Sequence, residues 1–161
     1  PTCSYNGGMG GNTQGDGITC LSWPSNVSST AIEISEHIAP LRFHYKRLRP
    51  DSGGAGRHRG GLGQEILIES RSDTPIAVSF LAERTIFPAF GIEGGKDGAA
   101  GELRVNGEKT DPKKQYVLRK GDTVSLGTPG GGGHGDPRLR DRQAVATDIA
   151  HGYVTQAAAY D

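Results

Sequence analysis

Apolar positions in this chain fall mostly in short alternating runs, and a helical spacing emerges only near the end. Residues 41–46 alternate plainly. Leu41, Phe43 and Tyr45 point one way and Arg42, His44 and Lys46 the other, which predicts a strand with one wet or partner-facing side. Residues 31–35 alternate more briefly, with Ile32 and Ile34 opposite Glu33 and Ser35. Residues 18–21 have the makings of a short strand, and residues 25–30 read as a turn. Residues 64–69 and 76–82 predict two more strands. The second is apolar or small on both sides, as in a strand buried on both faces, and Ser72-Asp-Thr-Pro75 is the turn between the two. Residues 103–105 are a short strand closed by Asn106-Gly107, a strong hairpin signal. Residues 116–119 and 122–126 are expected to pair around Lys120-Gly121-Asp122. A helix follows over 141–150: Asp141 caps it, Val145 and Ile149 share a face, and Gly152 stops it. Thr155 caps a last turn over 156–160.

Glycine changes this picture. It supplies 26 of 161 residues, more than twice its usual share of ~7%. The glycines cluster at 7–17, 53–63, 91–107 and 121–135, with Gly152 alone outside. These clusters are the loops between strands, so the loops carry unusual backbone geometry or allow close approach. The expected fold is mainly β, in the α+β class: a glycine-loop-rich β domain with a short C-terminal helical tail. Residues 1–30 form a glycine-rich lead with no core face of its own, and residues 31–161 form the domain. With 34% apolar residues and so much loop, the chain is expected to be ordered mainly by partners.

Charge is balanced, 18 basic against 18 acidic side chains, which argues against nucleic acid or an anionic membrane as the main partner. Nothing approaches the ~18 apolar residues of a membrane span. The first residues, Pro1-Thr-Cys-Ser-Tyr-Asn, lack the basic start and apolar stretch of a signal peptide. The expected location is therefore cytoplasmic. Cys3 and Cys20 then read as two free thiols, and Asn26-Val27-Ser28 as a chance glycosylation sequon.

Between Arg42 and Arg59 lie six Lys or Arg and one acid, Asp51. This stretch is either a solvated face or a site for an anion or an acidic subunit surface. The glycine loops fail as phosphate cradles: Gly135 is followed by Asp136 and Pro137, where a P-loop needs lysine and a hydroxyl, and Gly54-Ala-Gly56 leads into strand, where a dinucleotide fold needs helix. No histidine pair has metal-ligand spacing, and GxSxG does not occur. Five residues stand out as substrate- or interface-binding candidates. Asp51, Arg57 and Arg59 form either a structural ion-pair corner or an anion clamp. His134 sits among glycines, with Asp136 placed to orient its ring. No catalytic residue or metal ligand is assigned.

Two loops carry a family resemblance. Arg49-Pro-Asp-Ser-Gly-Gly-Ala-Gly-Arg-His-Arg-Gly-Gly-Leu-Gly63 resembles the RPDSGGAGxxRGGxG signature of the hydantoinase B/oxoprolinase family. Thr128-Pro-Gly-Gly-Gly-Gly-His-Gly-Asp-Pro137 resembles its TPGGGGxGDP signature. Asp16-Gly17, Ala31-Ile32-Glu33 and Gly152-Tyr-Val154 match weaker elements in the right order. The resemblance is to the C-terminal part of longer proteins, so a small subunit or a C-terminal fragment is expected. It implies ATP-dependent opening of cyclic amides such as hydantoins and 5-oxoproline. It also implies a companion hydantoinase A-type subunit that holds ATP and Mg, the remainder of the B-type subunit, and a divalent metal elsewhere in the complex. Ser29-Thr30-Ala31 departs from the family's Asn-Thr-Pro, which leaves the substrate branch open to a component of an ATP-dependent ketone carboxylase; a non-catalytic structural module of such a complex is a separate alternative.

Overall fold

A computed structural model describes residues 2–22, 25, 27 and 29–159. The Trp23-Pro24 pair, the sequon at Asn26 and Ser28, and Tyr160 at the end of the last turn lie outside the described residues. The elements run α1 (Ile32–Ile38), β1 (Leu41–Leu48), β2 (Gln64–Ser70), β3 (Ile76–Ser79), β4 (Glu102–Val105), β5 (Glu108–Lys109), β6 (Gln115–Leu118), β7 (Thr123–Gly127), a 3-10 turn (Pro137–Leu139) and α2 (Arg142–Ala150). The fold is mainly β with two short helices, in the α+β class. One antiparallel sheet has the order β1-β2-β7-β4-β5, and a separate ribbon pairs β3 with β6.

Antiparallel partners share a face, so the register separates the two sides of the sheet. Ile66 and Ile68 on β2 stand opposite Leu126 and Val124 on β7, which stand opposite Leu103 and Val105 on β4. This is the apolar side. Leu103, Leu118 and Val124 form its buried centre, with Ile76, Val78 and Phe80 laid over them by the β3–β6 ribbon. The other side is polar and laced by ion pairs. Arg47 bonds Glu65 across the strands, and His44 Nε2 lies 2.8 Å from Glu69 Oε2. The basic character of β1 is thus partly answered by carboxylates of β2.

Five local expectations are corrected. The alternation on β1 is interrupted: Phe43 faces Ile68 and Tyr45 faces Leu67, leaving His44 as a bulge. Beyond it the phase flips, so Lys46 falls on the side of Ile66 and Tyr45 on the side of Leu67. Residues 31–35 are not a strand but open α1, where Ile34 and Ile38, one turn apart, both lie exposed. Two isoleucines in five residues fit a helix as well as a strand. The Glu36 carboxylate of α1 accepts the Phe43 N–H of β1 (2.6 Å). Residues 18–21 form no strand, although Cys20 N–H donates to Leu62 C=O (3.0 Å). β3 is covered on one face only, and only partly: Ile76 and Val78 are half-buried, while Ala77 and Ser79 are exposed. β6 and β7 do not pair with each other: β6 joins β3, while β7 inserts between β2 and β4.

The Asn106-Gly107 hairpin is present, with φ of 51° and 83° at its two residues. Asp141 caps α2 by accepting the Gln143 N–H (3.1 Å), and Gly152 ends it at φ 70°. Thr155 Oγ1 accepts the Ala158 N–H (3.3 Å) in the turn that follows.

Candidate functional site

The glycine clusters converge. Main-chain stretches 6–11, 17–20, 52–63, 89–99 and 128–135 lie side by side, joined by hydrogen bonds but forming no strand beyond single bridges. Gly8 N–H donates to Pro129 C=O (3.0 Å), Gly61 to Met9 (2.7 Å), Gly131 to Gly61 (2.9 Å), Gly54 to Gly131 (2.8 Å) and Gly133 to Lys96 (2.9 Å). Most of these glycines are needed for closeness rather than for φ. Only Gly94 and Gly135 in these stretches have positive φ. A Cβ on Gly98 would sit 2.6 Å from the carbonyl oxygens of both Gly130 and Gly131. One on Gly56 would sit 2.6 Å from His134 N and 2.8 Å from His58 O. The backbones are in contact where side chains would otherwise stand. Within the 128–135 loop, the N–H groups of Gly130, Gly131, Gly133, His134 and Gly135 are all donated to protein carbonyls. This loop is therefore a packing core and does not fit a phosphate.

Beside this core opens a cleft of about 820 Å³. One wall is Gly53 to Gly56, with Lys96 and Asp97; the other is Val145 and Asp148 of α2, with Val154, Ala158 and Ala159. Three of the five candidates line it: Asp51, Arg59 and Asp136. Arg57 and His134 do not.

The candidates divide further by partner. Asp51 and Arg59 form no ion-pair corner with Arg57. Asp51, at φ 57°, accepts the Thr155 N–H through Oδ1 (2.7 Å), and its own N–H donates to Tyr153 C=O (3.0 Å). Arg59 is buried, with Nε 3.1 Å from Asp148 Oδ2, Nη1 donating to Gly60 C=O (2.6 Å), and its guanidinium over the Tyr153 ring at 5.6 Å. Arg57 is exposed, and its N–H donates to Gly135 C=O (3.1 Å). Asp136 does not orient His134. It caps the 3-10 turn by accepting the Arg138 N–H (2.9 Å) and pairs with the Arg138 guanidinium, which holds its carboxyl below the ordinary range. His134 Nε2 instead lies 3.5 Å from Glu93 Oε2, and its Nδ1 is buried without a partner among the described residues. The His58 ring stands 6.3 Å away, tilted by 46°. No group of three His, Cys, Asp or Glu side chains among the described residues is placed to hold a metal.

Sequence reasoning missed the strongest electrostatic feature. Asp16, Arg140, Asp148 and Arg59 alternate in a chain of charge. Arg140 grips Asp16 with both terminal nitrogens (2.7 Å each) and reaches Asp148 Oδ2 (2.7 Å), which also receives Arg59. Burial alone would raise the Asp16 carboxyl. The Arg140 guanidinium and the Arg59 N–H outweigh it and hold the group below its ordinary value of 3.8. The available signal was the run Arg138-Leu-Arg140-Asp141-Arg142, but its partners lie far off in sequence. Cys3 and Cys20 are both free thiols.

Comparison with known proteins places this geometry. The family model for hydantoinase B/oxoprolinase matches residues 2–137. An uncharacterized protein of Methanocaldococcus jannaschii is 36% identical over 136 residues, covering 82% of this chain and 24% of its own length. The caprolactamase subunit beta of Pseudomonas jessenii is 32% identical, with 92% of this chain and 27% of its own length covered. The solved structure of the ATP-dependent caprolactamase from that organism superposes with a TM-score of 0.79 at 28% identity, over 95% of this chain and 28% of that one. Nucleotide-free acetone carboxylase shares the fold, at 24% identity, a TM-score of 0.79, and 95% and 25% coverage. The chain spans about a quarter of the length of each of these proteins. On the match of both glycine loops and of the fold they build, the chain belongs to the hydantoinase B/oxoprolinase family.

Proposed function

We propose that the chain is the glycine-core part of an ATP-dependent hydrolase that opens cyclic amides of the hydantoin or 5-oxoproline type. It works against a nucleotide-binding hydantoinase A-type subunit and the remainder of the B-type subunit, in the cytoplasm. ATP and Mg are held by the A-type partner, and any divalent metal lies elsewhere in the complex. The observation that carries this reading is the connector between β3 and β4. Leu81, Ile86, Phe87, Phe90 and Ile92 all lie exposed along it. Side chains of this size each gain about 1.5–3 kcal/mol on full burial, so a run of five in water supports a protein partner on this side. The caprolactamase likeness supports a cyclic amide as substrate. The spent N–H groups of Gly130, Gly131, Gly133, His134 and Gly135 support a nucleotide held on another chain.

The test is ATP hydrolysis by the purified assembly with hydantoin, 5-oxoproline or caprolactam, with and without this chain. Amide-stimulated hydrolysis is expected only in the complete assembly, and turnover by the chain alone overturns the reading. Arg57→Ala and His134→Ala are expected to lower the stimulated rate. Unchanged rates in both identify a structural module instead, and dependence on bicarbonate identifies a carboxylase component.

A further inference from the structure

We propose that residues 141–159 form a hinged arm, latched by charge, that makes one wall of the cleft and detaches from the body as a unit. The inference rests on geometry alone and stands whatever substrate the assembly takes.

The arm has almost no apolar hold. The only fully buried residue of α2 is Asp148. No residue of the arm belongs to the apolar cluster of the sheet. Val145, Val154, Ala158 and Ala159 line the open cleft, and Ile149 and Tyr153 are only half-buried. What fixes the arm is polar. Asp148 takes Arg59 on one side and Arg140 on the other, Tyr153 C=O takes the Asp51 N–H, and Asp51 Oδ1 takes the Thr155 N–H. Both Asp51 and Arg59 belong to the 49–63 glycine loop, so the arm docks on the glycine core. Arg140 is gripped from the body by Asp16 and by the Arg57 carbonyl (3.2 Å). It stands at the pivot, next to Asp141, where the two residues have ψ of 137° and 127° and the chain leaves the 3-10 turn for α2.

An apolar contact weakens gradually when elements slide apart. A buried ion pair does not: once separated, each charge must regain water, so closed and open are distinct states. Opening breaks the two contacts of Asp148 and the two bonds of Asp51 together. It leaves Asp16 and Arg140 paired on the body, and it uncovers the Gly53 to Gly56 wall.

Hydrogen exchange read by mass spectrometry on the chain in its native assembly tests this. In the wild type, amides of α2 should exchange well ahead of those of β2 and β7. Asp148→Asn should speed α2 exchange by at least ~10-fold, given the cost of unpairing a buried charge, with β2 and β7 unchanged. Asp136→Asn, which lines the same cleft but pairs with exposed Arg138, should leave α2 as it was. A second readout is trypsin. Arg142 opens α2 inside the arm, and cleavage after it needs the chain to lift from the body, so it should be slow in the wild type and faster in Asp148→Asn. Equal protection of α2 and β2 in the wild type overturns the proposal. So does loss of protection in Asp148→Asn throughout the chain, which would make the arm part of the cooperative fold, and so does unchanged exchange and cleavage in that variant.

Discussion

Substituting Gly56 with alanine adds one methyl group to the glycine core, and the structure sets what that methyl would do. The new Cβ would stand 2.6 Å from His134 N, 2.7 Å from His134 O and 2.8 Å from His58 O. An ordinary carbon–oxygen contact is about 3.3 Å, so the His134 carbonyl oxygen would have to retreat by roughly 0.6 Å. That backbone is held by a reciprocal pair of bonds, His58 N–H to His134 C=O at 3.0 Å and the reverse at 2.9 Å. The methyl is wedged at that bridge, and no flexible side chain is there to yield. Leaving a buried main-chain group unpaired costs about 1–3 kcal/mol, so two bonds together with local overpacking should cost about 3–5 kcal/mol. Against a total stability of about 5–15 kcal/mol, this is severe. Gly15→Ala is the control, since nothing lies within 4 Å of its Cβ and its φ is not positive. It should be neutral or stabilising by about 0.4–1 kcal/mol through the unfolded chain. Urea unfolding followed by circular dichroism separates the two. A Gly56→Ala variant within about 0.5 kcal/mol of wild type, the usual effect of an ordinary surface change, would refute the claim that closeness of backbones is what these glycines provide.

Two further outcomes follow from single groups. Asp16 has its carboxyl depressed below 3.8 in the folded state by Arg140, against the upward push of burial. A depressed carboxyl contributes stability above its unfolded value and loses it as pH falls through the folded value. Acid unfolding below pH 3.8 should therefore be shallower in Asp16→Asn than in the wild type, and an identical acid limb would exclude Asp16 as a contributor. Cys20 has its thiol pushed up by burial, against Gln64 and Lys46, and its Sγ–H donates to Leu62 C=O (3.6 Å), while Cys3 is exposed. Iodoacetamide at neutral pH should modify Cys3 first, with Cys20 lagging until the pH is raised; equal rates by peptide mapping would contradict this.

What could be read in the sequence was whatever a few neighbouring residues decide. The Asn106-Gly107 turn, the Asp141 cap and the Gly152 stop are local chemistry, and each is in place. The bulge at His44 is not local. It exists only in the pairing of the eight residues of β1 with the seven of β2, and no residue type in 41–48 announces it. The partner of β6 was equally hidden. The turn at Lys120-Gly121-Asp122 suggests pairing with β7, but β7 is taken on both edges by β2 and β4, so β6 closes the apolar face together with β3.

The candidate site shows the same division more sharply. Asp51, Arg59 and Asp136 were selected because charged residues stood among glycines, and the fold does bring them to one cleft. Their partners are not legible in the sequence, because adjacency in sequence is not adjacency in space. Arg59 answers Asp148, 89 residues on, and Arg140 answers Asp16, 124 residues back. Both contacts follow from the glycine core. Where five stretches of main chain pack this closely, only a few side chains such as Ser52 and Leu62 are enclosed among them, and most charged ones are left to the rim. The rim of such a core collects the charged residues of every stretch that enters it, so the charge network is set by which backbones meet, and that information resides in the carbonyls and N–H groups that every sequence shares.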